Sequence, residues 1–285
     1  MEGKNLILAI SLSALVLIMW SVFFAPPPPT IDKEQNKIEK TQKENDISSP
    51  SIETTKEIKS VSRAASLKMT KRISVKNENI YGSIALIGGI IDDITFKNYN
   101  QNLNSENKVI LLSPKDLDEG YYIETGWAST NKGVDLPDNK TEWSIVGNSK
   151  LTPNNPVTLK WTNNEGIKFL KTIELDEKFL FKINQQIKND GNNNYDFYPY
   201  AQIVRNTKPE VLGFYILHEG FIGVFDEELK EEDYDDIEEK KFTTNSSSGW
   251  LGITDKYWIT AIVPEKNKNF KSEFIHDKNY RANFI

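Results

Sequence analysis

From Ile73 onward the chain alternates, one apolar side chain inward and one polar side chain outward. In "PVTLKWTNNEGIKFLKTIEL", Val157, Leu159 and Trp161 share one face, while Thr158, Lys160 and Thr162 share the other. Asn163-Asn164-Glu165-Gly166 then reverses the chain into a second alternating run, which predicts a β-hairpin. "KFLFKINQQI" repeats the period, with Phe179, Phe181 and Ile183 against Lys182 and Asn184. A strand with one dry and one wet face belongs to antiparallel sheets packed as a sandwich. Turn-forming clusters at 189–194 ("NDGNNN") and 243–249 ("TTNSSSG") separate the runs, and no four-turn amphipathic helix is visible. The expected fold class is therefore all-β, in two or more layers.

Two segments depart from strict alternation. "YWITAIVP" is apolar on both faces, which suits a strand in the middle of the packing. "IALIGGIIDDITF" places Gly88-Gly89 between two apolar runs, where a tight turn, a bulge or a close approach of two backbones is needed.

Before Ile73 the pattern is different. Residues 1–5 form a short polar start, and Leu6 to Ala25 is a run of 20 residues without a charge. As a helix such a run reaches about 30 Å, the thickness of a bilayer's hydrocarbon core. It is longer than the apolar core of a cleaved signal, and it ends in aromatics and four prolines, so it reads as an uncleaved transmembrane anchor with the N-terminus in the cytoplasm. Residues 26–72 begin with that proline spacer and continue as Lys, Glu, Ser, Thr and Gln without an aromatic residue. They read as a disordered tether, with a solvated helix over the stretch from Ile31 as the alternative. Residues 73–285 form the folded domain.

Charge and chemistry narrow the function. The chain carries a formal charge of −6, and its folded part is more acidic still, because residues 31–72 hold an excess of Lys and Arg. Nucleic acid as a partner is disfavoured. No cysteine is present, which excludes disulfides and thiol chemistry. The two histidines, His218 and His276, lie in no metal-ligand spacing, and no nucleotide or hydrolase motif occurs, so no catalytic, cofactor or metal site is expected. The densest feature is "DEELKEEDYDDIEE", residues 226–239. Its acids admit three readings: a solvated segment, a docking surface for a partner, or a divalent-cation site, which lacks the calcium-loop glycine. The partner-contact candidates are Asp226, Glu227, Glu228, Glu231, Glu232, Asp233, Asp235 and Asp236. Mutual repulsion makes the run a poor core element.

Taken in order, "NLILAISLSALVLIMW", a polar tether, "ISVKNENIYGSIALIGGIIDDITFKNY", "HEGFIGVFDEELKEEDYDD" and "SSGWLGITDKYWITAIVP" resemble the amino-terminal half of a bacterial YidC/Oxa1-type membrane protein insertase. Gly249, Trp250, Tyr257 and Trp258 mark the most specific stretch, similar to the alphaproteobacterial branch, and Gly88-Gly89 is a looser marker. The resemblance implies one transmembrane helix in the bacterial inner membrane and a periplasmic β-super-sandwich similar to galactose mutarotases. It implies a non-enzymatic role beside the Sec translocon and its SecD/SecF accessory proteins, on nascent inner-membrane proteins. It also implies a five-helix insertase core with a groove arginine. No second long apolar run supplies that core here, so the chain reads as a truncated copy or fragment, its sandwich incomplete, with a strand edge open or a strand missing near the C-terminus. A membrane-anchored carbohydrate-binding or sugar-processing sandwich is the alternative; it would need a histidine beside a carboxylate in a concave pocket.

Overall fold

The computed structural model describes residues 61–209 and 218–285. The anchor at 6–25 and the tether as far as residue 60 lie outside the described residues. None of the described helices is long and apolar enough to cross a membrane.

Among the described residues, eighteen strands and two short helices follow in chain order. Helix α1 (Arg63–Ser66) precedes β1 (Arg72–Lys76), β2 (Ile80–Ala85), β3 (Ile90–Asn100), β4 (Lys108–Leu112) and β5 (Tyr121–Ser129). Then come β6 (Ser144–Val146), β7 (Lys150–Leu151), β8 (Val157–Thr162), β9 (Ile167–Leu175), β10 (Phe181–Asn189) and β11 (Phe197–Arg205). The last group is β12 (Gly220–Phe225), β13 (Glu228–Glu232), α2 (Tyr234–Glu239), β14 (Phe242–Ser246), β15 (Gly249–Thr254), β16 (Ile259–Ile262), β17 (Phe270–His276) and β18 (Tyr280–Phe284).

The strands form three sheets. A ten-stranded sheet runs β14-β17-β18-β11-β5-β3-β2-β1-β7 with β4 paired to β3; two four-stranded sheets run β10-β9-β8-β6 and β13-β12-β15-β16. Register shows that both small sheets pack on the same face of the large one. Ile203 pairs with Ile123 and with Ala282, and Ala282 with Phe274, so these side chains share a face. Trp127, also on that face, meets Phe169 of β9 at 5.2 Å, and Phe274 meets Phe221 of β12 at 5.2 Å. The inward residues of β8 and β9, Val157, Leu159, Ile167, Phe169 and Ile173, are almost fully buried. The sandwich is what the alternation demanded.

Lys171 falls on this dry face by the same period. It is 1% exposed, its ammonium donating to the Thr125 carbonyl and lying 4.7 Å from the Trp143 ring centroid. Burial lowers its pKa to about 8.

The other face of the large sheet carries a polar row: Glu124, Gln202, Asn283 and Glu273 are cross-strand neighbours in sequence across β5, β11, β18 and β17. All four are buried. Tyr200 donates to one Glu124 oxygen at 2.8 Å, while the second oxygen and the amides of Gln202 and Asn283 have no hydrogen-bond partner. Further along this face, Arg72 pairs with Asp92, and Arg63 with Asp93. Residues 61–72 had been grouped with the tether; α1 is held on the sheet by that Arg63 pair and by a bond to Thr95.

Three expectations change. The "YWITAIVP" strand is an edge strand, β16, and not a central one; Tyr257 is 72% exposed and Val263 64%. Its doubly apolar pattern reflects one face packed and the other face open. Phe179 is not in β10 with Phe181 and Ile183 but in the turn before it, half exposed. The C-terminal strand β18 presents no open edge, because it pairs with β11 on one side and β17 on the other.

Candidate partner-binding surface

The Gly88-Gly89 marker closes the turn between β2 and β3, with φ of 79° and 60°. Both values are left-handed backbone that glycine alone adopts without strain. A bulge follows, since Ser83 pairs with Asp93 but Ile84 with Ile91; the turn and the bulge foreseen for this stretch are both present.

Gly249 has a stricter role. Its φ is 128°, and a Cβ there would lie 1.8 Å from the Val224 carbonyl oxygen. The glycine therefore sets how closely β15 can approach β12. Trp250 follows on the outer face, Tyr257 is exposed, and Trp258 turns inward on Phe96 at 4.6 Å.

The acidic run divides into three parts. Asp226 and Glu227, with φ of 48° and 72°, make the tight turn between β12 and β13. The Asp226 carboxylate accepts hydrogen bonds from the amides and hydroxyls of Ser247 and Ser248, at 2.9 to 3.2 Å. These bonds, the Ser247 amide first, hold its pKa below the ordinary value. Asp226 thus ties the β12–β13 turn to the link between β14 and β15. Glu228, Glu231 and Glu232 stand on β13, where Glu228 is paired with Lys230 at 3.0 Å. Asp233 precedes α2, and Asp235 and Asp236 occupy its first turn, where the helix dipole favours acids.

Helix α2 buries Tyr234 and Ile237, at 1% and 2% exposure. The acidic run is therefore not a poor core element. Tyr234 and Ile237, three apart, anchor one side of α2 while most of the run's acids face outward. Asp235 pairs with Lys208, and Tyr280 donates to Glu238.

The acids adjoin an apolar sheet face that sequence reasoning missed. On the outer side of the β13-β12-β15-β16 sheet, Leu229 stands opposite Val224, and Val224 opposite Trp250. Ile222 stands between Glu231 and Gly252, and Gly252 opposite Ala261. Leu229 is 54% exposed and Ile259 46%. The signal was present in "YWITAIVP", apolar on both faces, but was read as central burial. The resulting surface is apolar along β12, β15 and β16, with the Glu231 carboxylate on β13 at its edge. Such a surface suits a folded partner with an apolar centre and basic rim.

Enzyme-like geometry is weak. Among the described residues no cluster could hold a metal ion. His218 lies 3.3 Å from Asp233 at the surface, and His276 stacks on Tyr280. A hollow of about 610 Å³ is lined by Asp226, Asn245, Ser246 and Lys271 among others, with no histidine.

Residues 72–285 match the model of the YidC periplasmic domain family. The chain belongs to the YidC periplasmic domain family. It is 50% identical to the membrane protein insertase YidC of Pelagibacter ubique, over 100% of this chain and 51% of that protein. It is 37% identical to the protein of the same name from Rickettsia bellii, over 99% and 51%, and 36% to that of Bradyrhizobium diazoefficiens, over 96% and 48%. The chain spans about half the length of these curated YidC relatives. The resemblance read from Gly249 to Trp258 is confirmed at the level of the family.

Proposed function

We propose that the chain is the membrane-anchored periplasmic part of a membrane protein insertase of the inner membrane. Residues 6–25 span the bilayer, the N-terminus is cytoplasmic, and the β domain works in the periplasm as a non-catalytic scaffold. The domain contacts the Sec translocon through SecD/SecF and stands near nascent inner-membrane proteins. The observation that carries this reading is the family match over 72–285. The contact surface is the acidic β12–β13 hairpin with the apolar face beside it. Its exposed acids Glu227, Glu228 and Glu231 make few internal bonds for their number, so their charge is free to act outward.

The test is co-purification of SecD/SecF with the full chain carrying Glu227→Lys, Glu228→Lys and Glu231→Lys together. Loss of the partner with the folded domain intact is expected. Undiminished recovery removes the hairpin from the interface; loss of recovery only on Val224→Glu or Ile222→Glu moves the contact to the apolar face.

A further inference from the structure

The largest group of exposed rings gathers where three sheets meet. Tyr99 ends β3 of the large sheet, Phe179 and Leu180 form the tip between β9 and β10, and Tyr257 and Trp258 form the turn before β16. Phe96 sits beneath them, its ring centroid 5.7 Å from Tyr99, 5.7 Å from Phe179 and 4.6 Å from Trp258. Tyr99 and Trp258 are 4.8 Å apart. Phe96 is buried, but Tyr99 is 46% exposed, Phe179 49%, Leu180 62% and Tyr257 72%. The cluster is therefore a rigid base that holds apolar side chains out into solvent.

Exposed apolar side chains held rigidly in one place signal a binding surface. The chemistry here differs from that of the sheet face described above. The exposed rings stand at a strand end and in turns, and Tyr99 and Tyr257 carry a polar tip, the phenol hydroxyl. Asp176, Glu177 and Lys178 share the turn with Phe179, and the Lys256 ammonium lies 5.0 Å from the Tyr257 ring centroid. Amphipathic rings of this kind suit the boundary between lipid headgroups and acyl chains. The acidic strand β13 lies on the far edge of the β16 sheet, three strand spacings or about 14 Å away.

We infer that this aromatic tip is a bilayer-contact site, its rings entering the headgroup region of the leaflet that faces the domain. The inference rests on the reading of residues 6–25 as a membrane span. On that reading the 35 residues from Pro26 to Ser60 are the tether that joins the span to the domain. Such a tether keeps the domain at high effective concentration near the lipid, so a patch too weak to bind membranes alone still docks.

The absence of cysteine makes the test direct. The full chain is reconstituted in phosphatidylcholine nanodiscs containing acyl chains spin-labelled near the headgroup. Single cysteines carrying an environment-sensitive fluorophore are introduced as Phe179→Cys, Tyr257→Cys, Val146→Cys and Ser13→Cys. Positions 179 and 257 are expected to be quenched several-fold more than 146, which is equally exposed in the fold at 48%. Quenching at 13 without excess quenching at 179 and 257 overturns the inference and leaves the anchor standing. Quenching at 179 and 257 without quenching at 13 upholds the contact and removes the anchor reading. Equal labels at all four positions overturn both. Shielding of 179 and 257 by added SecD/SecF but not by lipid gives the tip to a protein partner and overturns the inference.

Discussion

Replacing Lys171 by methionine removes a charge from the centre of the sandwich. The native ammonium has one carbonyl acceptor and two indole faces, but no carboxylate bonded to it. Desolvation dominates, and the pKa falls from an ordinary 10.5 to about 8. Below pH 8, retaining the proton in the folded state costs about 3 kcal/mol relative to the unfolded chain. Methionine fills a similar volume and abolishes that cost, but it leaves the Thr125 carbonyl without its donor, a loss of about 1 to 2 kcal/mol. A net gain of about 1 to 2 kcal/mol at pH 7 is the expected result. The sign with pH is fixed. The folded pKa lies below the unfolded one, so native stability rises as pH climbs from about 8 toward 10.5 and the proton leaves both states. The advantage of Lys171→Met must therefore shrink over that range. Tyrosines that titrate nearby are common to both proteins and cancel in the difference. Urea unfolding at pH 7, 8, 9 and 10, followed by tryptophan emission, measures it. A methionine variant less stable at pH 7, or a gap that does not change between pH 7 and 10, refutes the argument.

Gln202→Met should leave stability unchanged or raise it by about 1 kcal/mol, because both polar atoms of the buried amide lack partners; a loss above 1 kcal/mol in urea melts would show that something pairs with it. Gly249→Ala should cost at least about 2 kcal/mol and loosen the β12–β15 contact, visible as faster amide exchange in β15. Arg72→Met strands the Asp92 carboxylate, which burial already pushes up to about 6. Asp92 is raised above its ordinary value, so its neutral form favours the fold, and that contribution is lost as pH rises through about 6. The variant should lose about 3 kcal/mol at pH 7.5 and regain much of it at pH 4.5, as read by thermal unfolding.

The period-two pattern made the sandwich legible, since it reports which side of each strand is dry whatever the partner. It could not report which strands are neighbours. β11 pairs with β5 and β18, each more than 65 residues away along the chain, and nothing local encodes that choice. Lys171 shows a second gap. Its position in the alternation predicts burial, yet its charge argues for water, and only the two indoles and the Thr125 carbonyl explain why position wins. The acidic run was legible as charge. Its core contribution was not, because Tyr234 and Ile237 are isolated apolar letters until α2 turns them to one side. The aromatic tip was hidden for the same reason: Tyr99, Phe179 and Tyr257 lie in three separate segments.

The inner position of β18 governs how the domain can be made. β11 needs a neighbour on each side, and the second of these, β18, lies far downstream of it in the chain. Until β18 is made, residues 201–205 of β11 keep one row of amides and carbonyls bare. Assembly of the large sheet is thus a late event that cannot be completed segment by segment. Any holding factor that acts on this protein must shield that one strand while the remaining chain arrives.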